Sequence, residues 1–149
     1  MKTQHMLISG AIGAASLNLI HESARRIIPH APRVDVLGMR ALAMSMRAAD
    51  QTPPPRDQLY WLTLIGDLIS NSLYYSLVGV GKREHIWRRG VLLGAAAGLG
   101  SVILPRPMGL GRQPNKSTPA TQIMTFLWYF IGGLAASAVA QAFAESSSE

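Results

Sequence analysis

The chain contains no cysteine. Disulfides, a thiol nucleophile and a thiolate-ligated metal are thereby excluded. Charge is scarce as well: Asp, Glu, Lys and Arg make up 15% of the residues, against about 25% in ordinary soluble domains. Acid is scarcer than base, with 8 Asp and Glu against 14 Lys and Arg, for a net charge of +6. Such a balance can serve nucleic acid. Here, however, the basic residues stand just outside apolar runs, where they meet lipid headgroups. Nucleic acid is therefore not an expected partner, and anionic membrane lipid is.

What the chain has in quantity is apolar length. Four stretches, roughly 6–20, 59–81, 90–104 and 123–143, are separated by short connectors that hold nearly all the charge. A helix crossing about 30 Å of hydrocarbon needs about 20 mostly apolar residues. Two stretches meet that length, and the other two reach it with their amphipathic flanks. The mean hydropathy of +0.18 is moderate only because apolar spans and arginine-rich loops average out. The expected fold is all-α: a polytopic membrane helical bundle in one integral membrane domain over 1–149, in the cell membrane. Its four transmembrane helices fall at about 6–28, 57–81, 88–104 and 120–143. Lys2 before an apolar run resembles a signal peptide. No small-x-small cleavage site follows, and the run continues into Asn18, His21 and Glu22, so it is read as the first transmembrane helix.

Pro29 and Pro32 end that helix. Beyond them Arg33, Arg40 and Arg47 fall on one stripe, because sevenfold spacing nearly closes two helical turns. Met39, Leu42 and Met46 lie opposite. The pattern predicts an amphipathic helix at about 34–48, lying in the membrane interface. The run 52–55 is a rigid proline break, 82–89 a basic turn, 105–119 a Pro- and Gly-rich link, and 145–149 a polar tail. A weak internal similarity aligns Gly13-Ala14-Ala15 with Gly94-Ala95-Ala96, and Gly66 and Leu68 with Gly132 and Leu134. It suggests a two-span tandem repeat with the amphipathic helix inserted in the first half.

Orientation signals conflict. One side carries Arg25, Arg26, Arg33, Arg40, Arg47, Arg56, Arg106, Arg112 and Lys116; the other carries Lys2, Lys82, Arg83, Arg88 and Arg89. The excess favours the first side as cytoplasmic, with both termini outside. Arg33, Arg40, Arg47, Arg88 and Arg89 are the expected lipid-interface residues. Trp61, Trp87, Trp128 and Tyr129 suit an aromatic belt. Gly94-x-x-x-Gly98 predicts close packing inside the bundle more than dimerisation.

Chemistry concentrates in the first two spans. Tyr60, Thr63, Asp67, Ser70, Asn71 and Tyr74 recur at helical spacing as one polar stripe. A carboxylate facing acyl chains costs several kcal/mol, so the stripe must face protein or water. Asn18, His21, Glu22 and Arg25 share a face of the first span. Asp67 lies roughly ten residues, about 15 Å, from the surface at which that face ends. The expected polar cluster is therefore Asn18, His21, Glu22, Arg25, Asp67, Asn71 and Tyr74, with His21 and Arg25 across from Asp67. Functionally it reads as an ion, proton or headgroup site; structurally it reads as hydrogen-bonding glue between helices. The pair His21-Glu22 lacks the second histidine one turn on that a metalloprotease helix requires. A metal held by His21, Glu22 and Asp67 is a minor alternative, and no cofactor motif occurs. The chain resembles small four-span bacterial membrane proteins in type only, which transfers no residue roles. Three functions remain in view: a small transport or conductance protein or subunit, a membrane scaffold or assembly factor, and a lipid-acting enzyme. A homo-oligomer or a larger membrane complex is the expected setting.

Overall fold

A proline stands at or within two residues of one end of each α-helix in the computed structural model, which describes residues 1–111 and 118–146. Arg112, Lys116 and the end of the polar tail, included in the expectations above, lie outside the described residues. The chain forms α1 (Thr3–Ile27), α2 (Val34–Ala48), α3 (Arg56–Ser76), α4 (Ile86–Ile103) and α5 (Pro119–Ser146). Short 3-10 turns occupy Leu77–Gly79 and Arg83–His85, and no strand occurs among the described residues. α1 stops before Pro29, whose preceding residue is pushed towards extended backbone: Ile28 has φ −99° and ψ 117°. Asp57 sits in the first turn of α3, where a carboxylate meets the positive helix end. Gly81 reverses the chain at φ +87°, a left-handed conformation that side chains disfavour. Thr118 caps α5, accepting the Thr121 amide on its hydroxyl at 3.2 Å.

Two segments, Arg83–Ile103 and Pro119–Ser146, are long and apolar enough to cross a membrane. α1 and α3 match them in length, at 25 and 21 residues, but not in average apolarity. Asn18, His21, Glu22, Arg25 and Arg26 dilute α1, as Arg56, Asp57, Asp67 and Asn71 dilute α3. Length and composition therefore mark two spans, not the four expected.

α5 packs against both α1 and α4, α3 packs on α1 and reaches α5 through Tyr75, and α2 lies against α3. The contacts of α5 are close because its neighbours offer glycine. A Cβ at Gly98 would meet the Phe126 backbone oxygen at 2.8 Å, and one at Gly94 would meet the Phe130 oxygen at 2.9 Å. On the other flank a Cβ at Gly13 would stand 2.6 Å from the Gly132 oxygen. The Gly94–Gly98 pair thus faces α5 inside the fold. Around these contacts Ala14, Leu17, Tyr75, Val78, Ile86 and Trp128 form the core. Trp128 departs from the expected belt: it is 6% exposed, whereas Trp61 is 60% and Trp87 48% exposed. Its ring is captured by the core beside His21, at 5.4 Å between centroids.

Gly133→Val should destabilise, because its Cβ would stand 2.9 Å from the Gly94 Cα and 3.0 Å from the Gly94 nitrogen. Overpacking of this kind costs about 1–3 kcal/mol or more. Gly66 has open space around its Cβ position. Gly66→Ala should leave stability unchanged or raise it by up to about 1 kcal/mol. Thermal unfolding of both variants in detergent checks the pair.

Candidate functional site

α3 and α4 hardly touch each other, and the space between them is a cavity of about 590 Å³. That is within the range of about 300–1,000 Å³ usual for small-ligand pockets. Asn18, His21 and Glu22 of α1 line it, with Tyr60, Thr63, Asp67, Ser70, Asn71 and Tyr74 of α3. α4 supplies a mostly apolar opposite wall that includes Ala96, Ala97, Gly100 and Leu104, and α2 adds Asp35, Leu37 and Gly38. The Tyr74 hydroxyl donates to the Leu93 carbonyl at 2.9 Å, tying α3 to α4 towards one end. Beside it the Tyr75 hydroxyl donates to the Tyr129 carbonyl at 2.7 Å. Tyr129, expected in the aromatic belt, instead lines the cavity.

The ionisable groups form two sets. Asp67 is met by the side chains of Asn18 on α1 and Asn71 one turn along α3. The second set gathers around Asp35. Arg33 grips its carboxylate with both nitrogens, Nε to Oδ1 at 2.9 Å and an Nη to Oδ2 at 2.7 Å, the fork geometry that makes such pairs strong. His21 Nε2 lies 3.7 Å from Asp35 Oδ1, and an Arg25 nitrogen 4.0 Å from Oδ2. Arg25 also donates from Nε to Glu22 Oε2 at 2.8 Å and from an Nη to the Tyr60 hydroxyl at 2.9 Å. Its guanidinium sits 5.2 Å from the centre of the Tyr60 ring.

The predicted cluster is therefore divided. All of its members except Arg25 line the cavity, but His21 and Arg25 do not meet Asp67 as expected. Asn18, one turn nearer the depth of Asp67, takes that place, and Asp35 draws His21 and Arg25 towards α2. Asp35 was missed because α2 reads as a basic stripe. The available signal was that it is the single acid between Arg33 and Arg47. Burial pushes the Asp35 carboxyl up, but the Arg33 hydrogen bond and the charges of Arg33, His21 and Arg25 outweigh it. The net result holds Asp35 below the usual carboxylate range.

Three of the five expected lipid-facing arginines engage the chain itself. Arg33 holds Asp35, Arg40 donates to the Leu110 carbonyl at 2.9 Å, and Arg89 donates to the carbonyls of Val78 and Lys82 at 2.8 and 3.0 Å. Connector carbonyls left over at helix ends compete with headgroups for a guanidinium. Arg47 and Arg88 are exposed.

Two buried atoms on the cavity side of α1 have no hydrogen-bond partner, His21 Nε2 and Glu22 Oε1. No group of three His, Asp or Glu side chains suited to a metal occurs among the described residues. His21, Glu22 and Asp67 share the cavity, but Glu22 is engaged by Arg25 and Asp67 by two asparagines. Compared with protein families, curated proteins and solved structures, the chain matches none.

Asp35 should anchor α2. Its folded pKa lies below the ordinary value, so its stabilisation is present above the unfolded carboxylate pKa and disappears as pH falls through the folded one. Amide protection factors over 34–48 should stay high at neutral pH and fall in acid below the ordinary carboxylate range. Asp35→Asn should lower them already at pH 7.

Proposed function

We propose that the chain is a four-span integral membrane protein of the transport or conductance class, with the cavity between α1, α3 and α4 as its polar path. One observation carries this reading: the mid-helix polar side chains Asn18, His21 and Glu22 of α1 and Asp67, Ser70 and Asn71 of α3 line a shared cavity, while the outward faces of the same helices are apolar. Leu7, Ile8, Ile12 and Leu19 of α1, and Leu62, Ile65, Ile69 and Leu73 of α3, are exposed large hydrophobic residues. A surface of that extent is costly in water and natural in lipid. Average hydropathy counts a charge equally whichever way it points, which is why α1 and α3 score below α4 and α5. At about 1.5 Å per residue all four helices are long enough to cross, with α4 the shortest. The pairing of α1 with α3 and of α4 with α5 suits a tandem two-span repeat. α2, joined to α1 through Asp35, then lies at one membrane surface, where exposed Arg47 can meet anionic headgroups.

In the membrane the Asp67 carboxylate lies about 15 Å along α3 with only amide partners. Carboxylates in that position are retained along ion and proton routes. The cavity lies within one copy of the chain, so binding does not require an oligomer.

The test combines topology and flux. The chain has no cysteine of its own, so single cysteines at Thr3 and Glu145 should label from the same side of the membrane. Labelling from opposite sides would remove one span. In proteoliposomes the protein should support a proton or monovalent-cation flux reported by an entrapped dye. Asp67→Leu should abolish that flux while keeping the helical content and monodispersity of the parent, since replacing a glue interaction costs only about 1 kcal/mol. Absence of flux from the parent overturns the reading.

A further inference from the structure

We propose that the cavity is a binding site for a protonated amine carried on an apolar body. The inference rests on the cavity being the protein's working site, and it adds the class of ligand. Three carboxylates line the cavity, Glu22, Asp35 and Asp67, and among the described residues neither lysine nor arginine lines it. Arg25 and Arg33 stand behind the lining and are committed to Glu22 and Asp35. Asp67 has no such cation, only the amides of Asn18 and Asn71. Asp67 is thus the lining carboxylate left without a cation beside it among the described residues.

The lining's hydrogen-bonding character has the same polarity. The hydroxyls of Thr63, Ser70, Tyr74 and Ser101 donate to the backbone carbonyls of Leu59, Asp67, Leu93 and Gly98. The Asn18 amide donates to the Ala14 carbonyl. With their protons used, these hydroxyls offer lone pairs. His21 is only 7% exposed, lines the cavity and leaves Nε2 without a partner. Its other ring nitrogen faces the Pro32 carbonyl. Nε2 lies 3.7 Å from Asp35 Oδ1 and makes no hydrogen bond. Glu22 Oε1 is a buried acceptor with no hydrogen-bond partner. An unpaired buried acceptor selects a ligand rich in N–H donors and rejects an anion. An ammonium group supplies both the donors and the charge. A bare divalent metal fits less well, because no three ligands converge among the described residues. The α4 wall of Ala96, Ala97, Gly100 and Leu104 then faces the apolar body, in a volume of about 590 Å³.

Such an ammonium can belong to a free lipophilic amine or to an aminophospholipid headgroup. Phenethylammonium serves as the probe, with phenylpropionate as its anionic counterpart. The full chain is placed in phosphatidylcholine nanodiscs, whose headgroup has no N–H, with empty discs as the blank. Saturable binding of phenethylammonium, with phenylpropionate at least about tenfold weaker, is the expected result. Asp67→Asn should weaken amine binding about tenfold, the value of one charge-assisted contact. Ala97→Phe, which fills the cavity from its apolar wall without touching a charge, should abolish binding even if the Asp67 variant fails to fold. Added phosphatidylethanolamine that competes with the probe identifies a lipid headgroup as the occupant; no competition identifies a free amine. Equal or tighter binding of the anion, or amine binding unaffected by Ala97→Phe, overturns the proposal. Amine binding without any flux would overturn the transport reading alone. Flux without amine preference would overturn this inference alone.

Discussion

The close approach of α5 to both of its neighbours is the constraint on which the rest of the structure depends. Glycine at positions 94 and 98 lets α4 lie against the backbone of α5, and Gly13 does the same for α1 on the other flank. Helices that touch through backbone atoms cannot also splay to fill space elsewhere. α3 packs on α1 just as closely, a Cβ at Gly10 meeting the backbone of Ser72 and Ser76, and α3 and α4 are joined through α1 and α5 while barely meeting each other. The gap between α3 and α4 follows from the packing of a helix that lines the cavity only through Tyr129. Small residues at one interface thus create room at another.

That room would be unfavourable if it were lined at random. It is lined instead by His21 and Glu22 of α1 and by Tyr60, Asp67 and Tyr74 of α3, with Arg25 and Arg33 placed behind them. Glu22 and Asp35 are each matched by a guanidinium, whereas Asp67 relies on neutral amides. The bundle therefore holds a graded environment. At the α2 end the charges are paired and structural. Deeper along α3 one carboxylate is held by groups that can tolerate either of its protonation states. Removing one member of a buried pair is far more damaging than removing both, so the outer set resists change and the inner one remains free to respond.

Much of this was legible in the sequence, and the boundary of legibility is physical. Periodicity and proline located α2 at its observed limits, because both act within a few residues of chain. The polar stripe on α3 and the polar face of α1 were legible for the same reason, since spacing along one helix fixes which side chains share a face. Which groups then meet across helices was not legible. Asp67 pairs with Asn18 and not with His21 or Arg25, because a third element, α2, delivers Asp35 and competes for both. No local pattern records that delivery. Trp128 shows the same limit: interfacial aromatics and core aromatics have identical spacing, and only the packing of α1 on α5 decides between them. Average apolarity marks only Arg83–Ile103 and Pro119–Ser146 as able to cross a membrane, and it does not register the direction in which the charges of α1 and α3 point.

The anchoring of α2 has a consequence for the order in which the chain assembles. Every strong partner of Asp35 lies between His21 and Arg33, so the pairing is local in sequence. Contacts of low sequence separation require little loop closure and form early. During synthesis these ion pairs can close before α3 has emerged. α2 packs its body on α3, so the helix itself settles only when Arg56–Ser76 arrives. The charges of α1 and α2 are matched first, and the wall that encloses them comes later.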